Sequence, residues 1–309
     1  MKLNAFQKTA ITTVLATLFL IFVGGLVRAT GAGLGCPDWP KCFGTWIPPT
    51  SLADLPAAFD ASQFNVVKTW TEYINRLIGV IIGFLITATF LLSFRYRRTK
   101  PSIFYSSLAA FLLVLFQAWL GGQVVKSGLS HYMITLHMIL ALVIMNVLLY
   151  ATFRATREFV HISLDASHKK TIFRVGLVLL VFTMIQLVLG TQVREEIDLI
   201  KEAAMVPDRS TWLERAGEIF KIHRSFSWIV LISGTYLGYY VWKEKLTGLI
   251  KKIGYANVGL IIIQILIGAG LQFGMPKVLQ IIHLVGIAVM VSMQFLMLLI
   301  LKMRTQTQG

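Results

Sequence analysis

The chain has 309 residues, 56% of them hydrophobic, and a formal net charge of +15. Its mean hydropathy of +0.72 comes from uninterrupted apolar runs of about 20 residues, each able to cross a ~30 Å hydrocarbon layer, which excludes a soluble domain of ordinary composition. The cations gather in short loops on one side of these runs, so the charge follows the positive-inside pattern and implies no nucleic-acid partner.

In chain order the runs predict eight transmembrane helices, near 10–29, 73–94, 102–125, 132–153, 172–193, 220–242, 254–273 and 279–301. Barrel strands would be about 10 residues long and alternate in polarity, so the class is an all-α integral membrane protein in the lipid bilayer. The first run lacks a clear cleavage site and is expected to be retained rather than removed as a signal peptide. After it comes the longest outer loop, Gly31 to Asn65, rich in Pro, Gly and Trp. A second outer loop, Glu195 to Glu218, is acidic and expected to be partly helical. Inner segments carry Arg95, Arg97, Arg98 and Lys100, then Lys169, Lys170 and Arg174, and finally Lys302 and Arg304. That asymmetry predicts a multi-pass protein of the cell membrane with both termini cytoplasmic. The tail after Met303 is polar and expected to fray.

The chain is written twice. Gly24-x-x-Val27-Arg28, Ile74-Asn75-Arg76, Gln117-x-x-x-Gly121 and His137 return as Gly190-x-x-Val193-Arg194, Ile222-His223-Arg224, Gln264-x-x-x-Gly268 and His283. The offsets are 166, 148, 147 and 146 residues. Each copy holds four predicted helices, which suggests two tandem four-helix bundles, 1–155 and 170–304, in parallel orientation. One position differs in kind: Asn75 stands where the second copy has His223.

Of the six histidines, His161 and His168 fall in a basic inner loop and His131 at an outer edge, whereas His137, His223 and His283 lie in apolar runs. Each of these three sits within about five residues of the predicted outer end of its helix, a common depth within roughly 8 Å of the boundary. Asn75 shares that level on the second helix. Side chains converging from facing helices are how bundles build cofactor sites. Two imidazoles can hold a porphyrin iron from both sides while apolar helices cover the macrocycle. Arg76 and Arg224 could pair with propionates, and Gly79, Gly83, Gly121, Gly122, Gly268 and Gly270 leave room for a flat ligand. The alternative is that each histidine only bonds a neighbouring helix. Asn75 is a poor iron ligand beside imidazole, so the first copy would hold iron through His137 alone or, as a weaker alternative, with His131 as partner. Glu72 lies one turn before Asn75, where a carboxylate at a membrane edge is costly unless paired or used. It could move protons or stabilise positive charge, or simply pair with Arg76 or Lys68. Phe220 takes its place in the second copy.

Cys36 and Cys42 are the only cysteines, both in the first outer loop. An oxidising compartment permits a disulfide. A structural staple, a redox-active pair and part of a metal site all fit the spacing.

Taken together these residues resemble the heme A synthase family. Thr30-Gly31-Ala32-Gly33-Leu34-Gly35-Cys36-Pro37-Asp38-Trp39-Pro40-x-Cys42 is similar to that family's first outer loop, and Glu72-x-x-Asn75-Arg76 to its Glu-x-x-His-Arg motif. Gln117-x-x-Leu120-Gly121-Gly122, His137, His223-Arg224 and His283 match other family positions, so the resemblance covers nearly the whole chain. It implies two four-helix bundles, with haem b held in the second by His223 and His283. The first would bind heme O, whose methyl group is oxidised by successive hydroxylations to the formyl group of heme A for terminal oxidase maturation. Glu72 would take the catalytic acidic position, and Cys36 and Cys42 the family's cysteine pair. A heme O synthase and an electron donor would be its partners. Asn75 departs from the family's histidine. A rival expectation is a haem-binding electron-transfer or oxidase-assembly protein that does not hydroxylate. A transporter is a weaker one, because no charged midplane site is present.

Overall fold

The computed structural model describes residues 2–162, 164–202 and 211–302. The expected frayed tail after Met303, with Arg304, lies outside the described residues, as does part of the acidic outer loop. Described residues are helical apart from turns, short 3-10 segments and one isolated bridge between Cys42 and Thr45. The helices are α1 (Ala5–Thr30), α2 (Val66–Ser93), α3 (Pro101–Lys126), α4 (His131–Thr156), α5 (Ala166–Glu202), α6 (Trp212–Arg215), α7 (Gly217–Lys243), α8 (Gly248–Gly270) and α9 (Lys277–Leu301). Seven of them, all but α6 and α7, are long and apolar enough to cross a bilayer. The chain is a multi-pass membrane protein. In α7, Ser, Tyr, Trp and Gly interrupt the aliphatic residues and dilute its hydropathy.

The chain divides into two compact units, Met1–Ala155 and Thr156–Gly309. In the first, Asn4 caps α1 reciprocally with Gln7, and the buried Gln7 amide donates to Ala155 O at 2.7 Å. Thr13 and Thr89 join α1 to α2 through their hydroxyls at 2.9 Å. Ile82, Ile86, Ala110, Ile144 and Leu148 form the core, with Val14 and Leu20 against it. The backbones of α1 and α2, and of α2 and α3, pack closely, whereas α4 meets the others mainly through side chains.

The second unit is a closed ring, α5 against α7, α7 against α8, α8 against α9 and α9 against α5. Glycines make it tight. A Cβ on Gly176 would meet Met297, one on Gly234 would meet Ile261, one on Gly238 Val258, and one on Gly254 Val241. Small residues at such crossings let helices approach without a lipid-filled gap. The repeat puts Ala10, Ile86, Phe90 and Ser107 at the corresponding places of the first unit.

Helix ends differ from expectation mostly outside the apolar runs. α5 continues to Glu202, past the predicted end at 193, because Arg194 pairs with Asp198 one turn on. Ile197 there is also buried with Val193, Trp212, Leu213 and Met275. α4, α7 and α9 begin earlier than predicted. As a result His137, His223 and His283 are each the seventh helical residue and Asn75 the tenth. The histidines thus lie about 9 Å along their helices, slightly deeper than the five-residue expectation, and Asn75 deeper still.

Candidate functional site

The three apolar-segment histidines share one local arrangement. His223 of α7 lies against Gly190 of α5: a Cβ added to that glycine would stand 3.1 Å from the ring Cε1. His283 of α9 lies against Gly268 of α8 at 3.6 Å, and His137 of α4 against Gly121 of α3 at 3.3 Å. At Gly190 and Gly121 a Cβ would crowd the ring, whereas at Gly268 it would only touch it. The Nδ1 atoms of all three histidines are buried without a protein hydrogen-bond partner.

Glutamines grip two of these helices from the side. Gln117 Nε2 donates to His137 O at 3.0 Å, and Gln186 Nε2 donates to His223 O at 3.0 Å while lying 3.5 Å from His223 Nε2. Gln264, the counterpart of Gln117, packs its amide against Gly286, three residues beyond His283. Gln117, Gln186 and Gln264 each keep a buried Oε1 without a protein partner. Buried polar atoms cost free energy unless something pairs them. Imidazoles seated on glycine walls, among apolar helices, form a donor set suited to a flat iron porphyrin. No cluster of three or more His, Cys, Asp or Glu suited to a bare metal ion occurs among the described residues.

The site residues of α2 face a different environment. Glu72 is buried, 4% exposed, and its Oε2 accepts the Cys36 N–H at 2.8 Å. Its Oε1 accepts Arg76 Nε at 3.1 Å and pairs with the same guanidinium through Nη2. Arg76 also donates to Asp38 O at 2.8 Å, Lys41 O at 2.9 Å and Cys36 O at 3.3 Å. Glu72 and Arg76 therefore clamp the outer loop onto α2. The expected Arg76 guanidinium for propionates is engaged by loop carbonyls. Arg224, its counterpart, is exposed and lies over the Phe220 ring at 5.6 Å. Asn75 is half-buried, with Oδ1 lacking a protein partner.

The loop reaches α2 and α3 for local reasons. A Cβ on Gly35 would collide with Lys68 O, so only glycine permits this approach, and Thr69 Oγ1 donates to Gly35 O at 2.8 Å. Cys36 and Cys42 form a disulfide that is fully buried with Phe43 beneath Leu55, Phe59, Phe64 and Tyr73. Asp38 braces the turn by accepting Phe43 N–H at 2.6 Å and Gly44 N–H at 2.9 Å. Trp39, joined to Pro40 by a cis peptide bond, lays its ring on Gly122 of α3, 2.9 Å from where a Cβ would be. Gly122 and Gly270 are thus sockets for Trp39 and Leu279 rather than ligand room, while Gly79 and Gly83 meet nothing within 4 Å. The roles of Trp39, Gln186 and the Gly190 wall were not foreseen. Gly190 could have been, since its motif repeats Gly24.

Comparison with known proteins gives a consistent family. The sequence pattern of the cytochrome oxidase assembly protein family matches residues 7–295. The chain is similar to the heme A synthase of Orientia tsutsugamushi (strain Ikeda), 32% identical over 160 residues, covering 45% of this chain and 44% of that protein. It is similar to that of Shewanella oneidensis, 31% identical over 150 residues, covering 47% and 44%. With the heme A synthase of Bartonella tribocorum it shares 24% over 307 residues, covering 87% and 84%. In the first two alignments the chain spans less than half of the relative's own length.

Proposed function

The chain belongs to the cytochrome oxidase assembly protein family, and on that premise we propose that it is a heme A synthase, oxidising the methyl group of heme O by successive hydroxylations to the formyl group of heme A. One observation carries the reading: imidazoles from facing helices, each against a glycine, recur in a duplicated frame. We read α7 as the eighth membrane span, giving two four-helix bundles in the cell membrane with both termini cytoplasmic.

In the second unit His223 and His283 would hold haem b, with Gly190 and Gly268 fixing the planes of their rings. Arg224, free of any carboxylate among the described residues, is available to a propionate. Haem b, when bound, supplies electron transfer. In the first unit His137, Asn75 and Arg76 surround the substrate haem. Glu72 is the acidic group of that site, taking a proton or stabilising positive charge at its carboxylate, which Arg76 orients. The disulfide loop closes the outer end of α2 and keeps water from the apolar interior. Heme O synthase and an electron donor are the expected partners.

A second reading has its own observation. Both Glu72 oxygens are engaged, Oε2 by the Cys36 N–H of the loop and Oε1 by Arg76 of α2, and Asn75 stands where the second copy has histidine, as in a haem-binding assembly protein that does not hydroxylate. Pigment extraction separates the two. Cells supplied with heme O should form heme A only when they carry this chain; a haem b spectrum without heme A would leave the second reading standing.

A further inference from the structure

The four ligand-type positions can be compared seat by seat. Three are filled by imidazoles whose Cε1 edges lie 3.1, 3.3 and 3.6 Å from where a glycine Cβ would be, at Gly190, Gly121 and Gly268. The fourth wall is Gly24, the counterpart of Gly190 in the repeat. Beyond its own turn of helix, no atom of the described residues lies within 4 Å of a Cβ built there. The residue matched to His223 is Asn75, which lacks the Cε1 and Nε2 atoms of an imidazole. Its Oδ1 is buried and without a protein partner. Glycine weakens a helix interior relative to alanine, and no neighbouring side chain or helix crowds the Cβ position of Gly24. The glycine of the seat is present here and the imidazole is not.

We propose that this fourth seat takes a small exogenous ligand of haem iron, of diatomic to azole size, walled by Gly24 and hydrogen-bonded by the Asn75 amide. A neutral amide ligates iron poorly, yet it offers both N–H donors and a carbonyl acceptor to a neighbouring ligand. The inference rests on the reading that the first unit holds a haem through His137. It makes Asn75 a positioning residue for that ligand, and Gly24 the residue that sets the ligand's size.

The test uses the full-length protein carrying both haems, titrated with carbon monoxide when reduced and with imidazole when oxidised. One haem should bind each probe, and the haem closed by His223 and His283 should bind neither. Asn75→His should weaken carbon monoxide binding at least about tenfold, equivalent to ~1.4 kcal/mol, and turn the first haem low-spin. Gly24→Leu leaves position 75 intact and should weaken imidazole binding by a similar factor with haem content unchanged. It decides the matter if the Asn75→His protein fails to fold. Two low-spin haems inert to both probes would overturn the proposal while leaving the first-unit haem in place. So would carbon monoxide binding that both substitutions leave unaltered. Protein that takes up only the second-unit haem, even with heme O or haem b in excess, would overturn the reading of the first unit and this proposal with it.

Discussion

The two units run the same motif in opposite styles. The second puts glycines at its helix crossings and seats two imidazoles inside a closed ring. The first has larger residues at those crossings and holds α4 by side chains. It spends its polar groups on a loop, with Glu72 and Arg76 clamping the disulfide turn where the second unit has Phe220 and a loosely held Arg224. Tight packing with matched ligands suits a group that stays. A looser bundle under a fastened cover, with an amide in place of one imidazole, suits a molecule that is admitted and released.

That contrast can be broken most decisively at the imidazoles. His223→Ala or His283→Ala should abolish the low-spin haem spectrum of the purified protein, and retention of that spectrum in both variants would end the assignment of a permanent haem to this unit. Arginines come next. Arg76→Ala strands a buried carboxylate and should cost about 3–5 kcal/mol in thermal or denaturant unfolding, whereas Arg224→Ala should cost only about 0.5–1 kcal/mol for a surface ring contact. Equal losses would show that the clamp is not what separates the two units. Replacing Cys36 and Cys42 with serine should lower stability by roughly 2.4 kcal/mol on the loop-entropy argument for so short a ring. The haem spectrum of the second unit should be untouched, and its loss would show that the loop's influence is not local. The smallest effect sharpens the picture: Gly24→Ala should stabilise by about 0.5–1 kcal/mol, as alanine does in helices. Gly190→Ala should give no such gain, because the new methyl meets the His223 ring.

Much of this was legible before the structure. Apolar runs announced the long helices, because spanning length and composition are local properties of sequence. The repeat announced which positions correspond, and hence that Asn75 is the odd one. Less accessible were contacts made by chain far away. Nothing near Glu72 says that its partner is the Cys36 N–H, because that depends on Gly35 letting the loop lie on the Lys68 carbonyl. Gly122 reads as space until Trp39 is found lying on it. Some helix in the acidic outer loop was expected from its sequence, but that α5 itself runs on to Glu202 follows from the Arg194–Asp198 pair and the apolar patch around Trp212.

The spacing of Glu72 and Arg76 carries a further consequence. One carboxylate and one guanidinium, a single helical turn apart, read backbone groups at residues 36, 38 and 41. Each residue advances a helix by about 100°, so one amino acid inserted between them would swing the pair onto different faces. Length changes should therefore be ruinous within residues 72–76 and at the disulfide turn, yet harmless at the exposed stretch 50–54. The cover is keyed to its helix like a tooth to a rack, and it can shift only by whole turns.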